Sequence, residues 1–229
     1  MRSKIIDDEI EAFFVIYMHI YREIICGLWK PRSGWVERDI PKEIAETVLL
    51  HVKKVVKAAK IYGKIFPGLN YDKFVKMALF HDIAEYRERD YRPGEISREE
   101  KFRRERAVIE DLMVRFPGKF DEVFALWVEF EEGKTDEAIA VRQLDIMDAW
   151  VQALQYEADG YKKVSDFFSW TQEKLTDPLL VQIWDILLYQ EFYADVHYQY
   201  MTLLELWWNR ALFREKMISE WLGNVQNYI

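Results

Sequence analysis

Apolar residues recur every three or four positions along most of this chain, and that spacing predicts amphipathic helices punctuated by Gly, Pro and capping residues. The first runs from Asp7 to about Cys26 on Ile10, Phe13, Phe14, Tyr17, Ile20 and Ile24, with Gly27 as its C-cap. A loop follows over 30–38, marked by Pro31 and Gly34. Pro41 suits the first turn of a second helix that reaches about Tyr62 and ends at Gly63. Val48, Val52, Val55 and Ala59 form its inner face, with His51 beside them, while Lys53, Lys54, Lys57 and Lys60 form a solvated one. Asn70 caps a third helix carrying Phe74, Met77, Ala78 and His81. Ser97-Arg98-Glu99-Glu100 is a capping box for a fourth, which Pro117-Gly118 stops after Phe116. A fifth spans Phe120 to Glu132 and ends at Gly133, and Thr135 opens a sixth that reaches about Asp159. A seventh covers Tyr161 to Leu175, and Asp177-Pro178 then starts a stretch free of Gly and Pro from Leu179 to Leu222.

The sixth helix carries the most information. Ala140, Leu144, Met147, Val151 and Leu154 make one apolar face, and Ile146, Trp150 and Ala153 widen it. What remains is a narrow polar stripe with Asp145, Asp148, Gln152 and Gln155. A helix apolar over most of its circumference is buried, so the acids on its stripe face something. Periodicity does not choose between Asp145 and Asp148. With no strand-like alternation or repeat, the fold class is all-α: a helical bundle over 1–188 and a helical extension over 189–229. Trp207, Trp208 and Trp221 suit that extension to packing on the domain or on a partner subunit.

Composition narrows the function. A chain of 229 residues, half of them hydrophobic, can build one sizeable core. A net charge of −8 disfavours a broad surface for a nucleic-acid polymer and leaves a local basic pocket open. Cys26 is the only cysteine, which excludes an intramolecular disulfide and suits a reducing compartment. The acids at Asp7, Asp8, Glu9 and Glu11 do not fit a signal peptide, and the apolar run from Ala12 to Tyr21 is too short to span a bilayer. A cytoplasmic protein with no membrane partner is expected, and the surplus of aromatic residues suits a homodimer.

The chemistry gathers at Phe80-His81-Asp82-Ile83-Ala84-Glu85. On a helix His81 and Asp82 diverge by about 100° and can clasp one ion from neighbouring positions, while Glu85 lies one turn on. There it can take a proton from a water beside the ion. His51 and an acid of the sixth helix are the available further ligands. Two imidazoles and two carboxylates suit one divalent transition metal ion (Mn, Co, Fe, Ni or Zn) better than Mg. Arg32, Arg38 and Trp35 in the loop over 30–38 could hold a phosphate and stack on a ring.

Several blocks then occur in a telling order. Arg32-Ser33-Gly34-Trp35-Val36-Glu37-Arg38 precedes Glu46-Thr47-Val48-Leu49-Leu50-His51. His81-Asp82-Ile83-Ala84-Glu85 follows, running on to Asp90 and Pro93, and then Lys101-Phe102-Arg103-Arg104-Glu105. Leu126-Trp127-Val128-Glu129-Phe130-Glu131, Gln143-Leu144-Asp145, Asp166-Phe167-Phe168 and Asp177-Pro178 complete the series. In this order the chain resembles the HD-domain phosphohydrolases, and among them the short 5′-deoxynucleotidases, from about Pro31 to Leu188. Leu49, Leu50 and Arg89 stand where that family carries a small residue, an acid and a glycine.

The resemblance implies a mononuclear metal site of His51, His81, Asp82 and Asp145, with Glu85 positioning or deprotonating the attacking water. It matches Asp90 to the residue that holds the deoxyribose hydroxyl. Trp35 corresponds to the tryptophan that discriminates against a 2′-hydroxyl, and Arg32 to the phosphate-binding arginine. The expected activity is that of a metal-dependent 5′-nucleotidase acting on (deoxy)nucleoside 5′-monophosphates, a small-molecule substrate. Two alternatives are a hydrolase of another small phosphate ester or nucleoside triphosphate, and a non-catalytic metal-binding oligomerisation module.

Overall fold

Side-chain caps set where four of the described helices begin. The computed structural model describes residues 18–181 apart from 67, 92–93 and 179. The part of the first helix before Met18, and the aromatic extension over 189–229, lie outside the described residues. The contacts divide the chain into two compact units, Met1–Asp177 and Pro178–Ile229, and the helical bundle is the first of them.

Helix α1 spans Met18–Leu28 and the single-turn α2 spans Ser33–Val36. Helix α3, Val48–Ile65, starts where Thr47 Oγ1 accepts the Leu50 N–H at 3.2 Å, satisfying one of the first-turn amides. It therefore begins seven residues after Pro41, not at it, and runs through Gly63. Pro41 instead opens a turn whose carbonyl accepts the N–H groups of Ile44 and Ala45. The backbone after that turn is extended, so Arg32 N donates to Glu46 O at 2.8 Å and Val48 N to Lys30 O at 3.0 Å. This isolated antiparallel bridge, Pro31 to Thr47, pins the loop of Arg32 to the head of α3.

Helix α4, Tyr71–Phe80, is capped by Asn70, whose side chain accepts the Lys73 N–H. It stops one residue before His81, and Ile83–Tyr86 form a 3₁₀ turn. The sequence places His81 and Asp82 together on a helix. Here Asp82 has left helical geometry, at φ −107° and ψ 18°, which swings its carboxylate toward the side of His81. Helix α5, Arg98–Arg115, opens on Ser97 as expected, and α6, Asp121–Glu132, closes on Gly133 at φ 66°, a left-handed cap that glycine adopts without a Cβ penalty.

Helix α7, Asp136–Ala158, is the axis of the bundle, with Thr135 as its cap. It packs against α3, α4 and α6, and Leu144, Met147 and Trp150 are fully buried along it. The helix expected over Tyr161–Leu175 is divided: a 3₁₀ turn, Lys162–Val164, precedes α8, Asp166–Lys174, which packs back on α7. No helix among the described residues is long and apolar enough to cross a membrane.

Gly27 is inside α1 rather than capping it. A Cβ there would lie 2.2 Å from the Tyr86 carbonyl oxygen, so only glycine lets α1 rest against the 3₁₀ turn.

Candidate active site

The first imidazole comes from the first turn of α3 and the second from the residue that ends α4. His51 is completely buried, and His81 nearly so. His81 Nδ1 donates to the Ala78 carbonyl at 2.8 Å, which assigns its proton to Nδ1 and leaves the Nε2 lone pair free to point elsewhere. His51 Nδ1 lies 2.7 Å from Asp148 Oδ2 and is fixed in the same way. The two Nε2 atoms then face each other at 3.3 Å. Asp145 Oδ1 is 3.1 Å from His51 Nε2, and Asp82 Oδ2 is 3.5 Å from His51 Nε2 and 3.3 Å from His81 Nε2.

This donor set fits a divalent cation. Two ligands each about 2.1 Å from one ion sit roughly 3.0 to 3.4 Å apart at octahedral or tetrahedral angles, close to the separations seen here. Its charge fits as well. Burial by itself would raise both carboxyls, yet His81 and His51 hold Asp82 below its ordinary range, and the His51 hydrogen bond does the same for Asp145. Burial and Arg32 oppose a charge on His51, but hydrogen bonds to Asp145 and Asp148 push its pKa up to about 10. This point in the interior attracts positive charge. Of the two acids that periodicity left open, Asp145 shares the group of converging donors with His51 and His81, while Asp148 sits behind His51. A carboxylate behind a histidine orients the ring and raises its basicity as a ligand.

Glu85, on the 3₁₀ turn, is 4% exposed. Burial first, then the charges of Asp82 and Asp90, raise its carboxyl well above the usual range, and its Oε2 has no hydrogen-bond partner. Nearby Lys101, partly exposed, keeps its charge through Glu105, Glu85 and Asp82 against the cost of desolvation. A buried carboxyl with an open oxygen is equipped to take or give a proton.

Arg32 lies between Glu46 and Asp90, its Nη1 3.7 Å from Glu46 Oε2 and its Nε 4.0 Å from Asp90 Oδ2. Nη1 is buried and forms no hydrogen bond, so a guanidinium donor remains for an anion. Asp90 is tied to the same loop, since its Oδ2 accepts the Ser33 N–H at 2.9 Å and its carbonyl accepts the Ser33 hydroxyl. Trp35 is placed differently. Its ring is 1% exposed, packed on Tyr156 and Phe167 with centroids 5.2 and 4.5 Å away, and its indole N–H donates to Glu46 Oε2 at 3.2 Å. Its contact with the site runs through Glu46.

Sequence reasoning gave no role to two members of this group, Glu46 and Lys54, and carried Asp148 only as the alternative to Asp145. Lys54, expected on the solvated face, turns inward to Glu46, to Asp148 Oδ1 at 3.2 Å and to Gln152 Oε1 at 2.9 Å. The available signal was its spacing: it lies three residues after His51, on the same side of α3. Two of the three residues that depart from the resemblance face outward. Leu50 is half-exposed, and Arg89 pairs at the surface with Glu37 and Glu95.

Comparison with known proteins agrees with this fold. The HD domain family model matches residues 30–184. The chain is 35% identical over 157 residues to the 5′-deoxynucleotidase HDDC2 of Xenopus laevis, covering 67% of this chain and 76% of that one. It is 34% identical to the Homo sapiens protein of the same name, covering 67% and 75%. A Pyrococcus horikoshii OT3 structure, the PH0347 protein, superposes with a TM-score of 0.58 at 26% identity, over 71% of this chain and 92% of that one. By its sequence match and its helical fold, this chain belongs to the HD-domain family.

Proposed function

We propose that this protein is a metal-dependent 5′-nucleotidase that hydrolyses (deoxy)nucleoside 5′-monophosphates to nucleoside and phosphate. One observation carries the reading: the two facing Nε2 atoms with Asp82 and Asp145 stand beside a buried arginine donor and a buried, unpartnered carboxyl. The names of the relatives, 5′-deoxynucleotidases, support the same substrate class.

His51, His81, Asp82 and Asp145 would hold one ion of the Mn, Co, Fe, Ni or Zn class. When bound, such an ion polarises a phosphoryl oxygen and acidifies a water. Arg32 neutralises the phosphate from the other side, and Asp90 accepts a sugar hydroxyl while holding the loop at Ser33. Glu85 receives the proton of the attacking water. The new O–P bond forms as the bond from phosphorus to the 5′ oxygen breaks, and the leaving oxygen takes up a proton. Trp35 supports the phosphate end by fixing Glu46 beside Arg32, so any preference it sets for the sugar is indirect. We extend the proposal to a cytoplasmic homodimer; the single cysteine supports the compartment and the surplus of aromatic residues the dimer.

Purified protein loaded with Mn or Co and assayed across nucleoside mono- and triphosphates tests the proposal. Phosphate release from 5′-monophosphates, strongest for deoxy substrates, is expected. Release from triphosphates alone, or from none with metal bound, would overturn it.

A further inference from the structure

We infer that Lys54 is a positioning residue that couples the metal end of the site to its phosphate end; the inference rests on the nucleotidase reading. One ammonium group bridges two buried carboxylates with different tasks. Asp148 gives one oxygen to Lys54 at 3.2 Å and the other to His51 Nδ1 at 2.7 Å. Glu46 gives one oxygen to Lys54 and the other to the Trp35 indole at 3.2 Å, with Arg32 Nη1 3.7 Å away. Gln152 takes a further Lys54 proton at 2.9 Å. The ring plane of His51 and the aim of Arg32 are therefore set from the same atom.

Both carboxylates are almost inaccessible, Glu46 at 3% and Asp148 at 7%. Two such anions side by side repel and lose hydration, and a cation between them removes both penalties. Burial works against the charge on Lys54, but Asp148 and Glu46 more than offset it, so the ammonium stays protonated. Glu46, His51 and Asp148 also form a second group of close donors. Lys54 Nζ stands beside two of its three members, in the place a second cation would take, which agrees with a one-ion site. Lysine suits the task because its apolar stem packs along α3 while its three donors diverge to three acceptors.

The test compares Lys54→Met, which keeps the stem, with Lys54→Arg, which keeps the charge, and with Glu46→Gln. Co(II) affinity is read by absorption titration, and inorganic phosphate affinity by calorimetry on the Co-loaded full chain. In Lys54→Met, Co(II) binding should weaken by about 10- to 100-fold, as for loss of a group that orients a ligand. Phosphate binding should weaken roughly tenfold or more, the loss of about one charged hydrogen bond. Lys54→Arg should restore most of both. A folded Lys54→Met in which only one affinity moves, or neither, would overturn the coupling.

Should Lys54→Met fail to fold, Glu46→Gln decides. Its contacts run to Trp35, Arg32 and Lys54, yet its Co(II) affinity should fall severalfold through the shared ammonium, and an unchanged value refutes the inference. Neither binding measurement needs turnover. A protein that releases no phosphate from any nucleotide would therefore fail the functional reading and leave the test of Lys54 standing.

Discussion

His51 and His81 present their Nε2 atoms to one another at 3.3 Å, and each ring is held from behind by an acceptor on its Nδ1. Those acceptors differ in kind. His81 leans on a backbone carbonyl that no substitution removes, whereas His51 leans on the Asp148 side chain. The metal end is rigid on one side and tunable on the other.

Asp148→Asn and Asp145→Asn should therefore separate. Replacing Asp145 removes a charged donor from the converging set, and metal should be lost. Asparagine at 148 can still accept from His51 but brings no charge, so metal affinity should fall by about 10- to 100-fold and binding should survive at high metal concentration. Titration of both variants with Mn or Co gives the answer, and equal losses would contradict the division of labour.

Glu85→Gln should retain metal and lose turnover by at least about 100-fold, the scale of a general acid–base contribution. The amide is nearly isosteric and suits the buried pocket, where burial and the charges of Asp82 and Asp90 work against a carboxylate. Melting temperature should accordingly hold or rise. Loss of bound metal in this variant would show that Glu85 is a ligand and not a proton acceptor.

Much of this arrangement was legible in the sequence, and the gaps have physical causes. Caps at Asn70, Ser97 and Thr135 announce their helices because each is a local contact over three residues. Pro41 misled, because a proline suited to a helix start serves a turn equally well, and Thr47 decides the boundary. Gly27 and Gly63 read as stops, yet both lie within helices whose neighbours come too close for a side chain. Lys54 was hidden for a different reason. Its partners Glu46 and Asp148 lie on the loop before α3 and on α7, so its inward turn depends on a packing that no local pattern encodes.

Glu23 gives a pH test away from the site. It accepts from Arg87 at 2.7 Å and from Arg115 at 2.5 Å, linking α1, the end of the 3₁₀ turn and α5. Hydrogen bonds from Arg115 and Arg87 lower its pKa to about 2. A carboxyl with a lowered folded pKa adds stability above its unfolded value near 4.5, and loses it as pH falls toward 2. All three side chains are well exposed, so the contribution stays within about 1 kcal/mol. Glu23→Gln should melt slightly lower than the parent from pH 5 to 7 at low salt. The gap should shrink below about pH 4.5 and in 1 M NaCl. A gap that widened in acid would refute the clamp.

The approach of Gly27 to Tyr86 links the scaffold to the chemistry, because the 3₁₀ turn it supports also carries Glu85. In Gly27→Ala, the new methyl meets backbone and not a movable side chain, so α1 or the turn must shift. Overpacking of this kind costs about 1–3 kcal/mol, which lowers the melting temperature by several degrees in a chain of this size. The ligands His51 and Asp145 sit on α3 and α7, on other elements than the displaced turn. Turnover should therefore fall by more than metal affinity does. Gly68→Ala, where a methyl meets open space, is the control and should change neither. If Gly27→Ala lost metal before it lost turnover, the strain would be reaching His81 and Asp82 first, and Glu85 would not be the sensitive point of the turn.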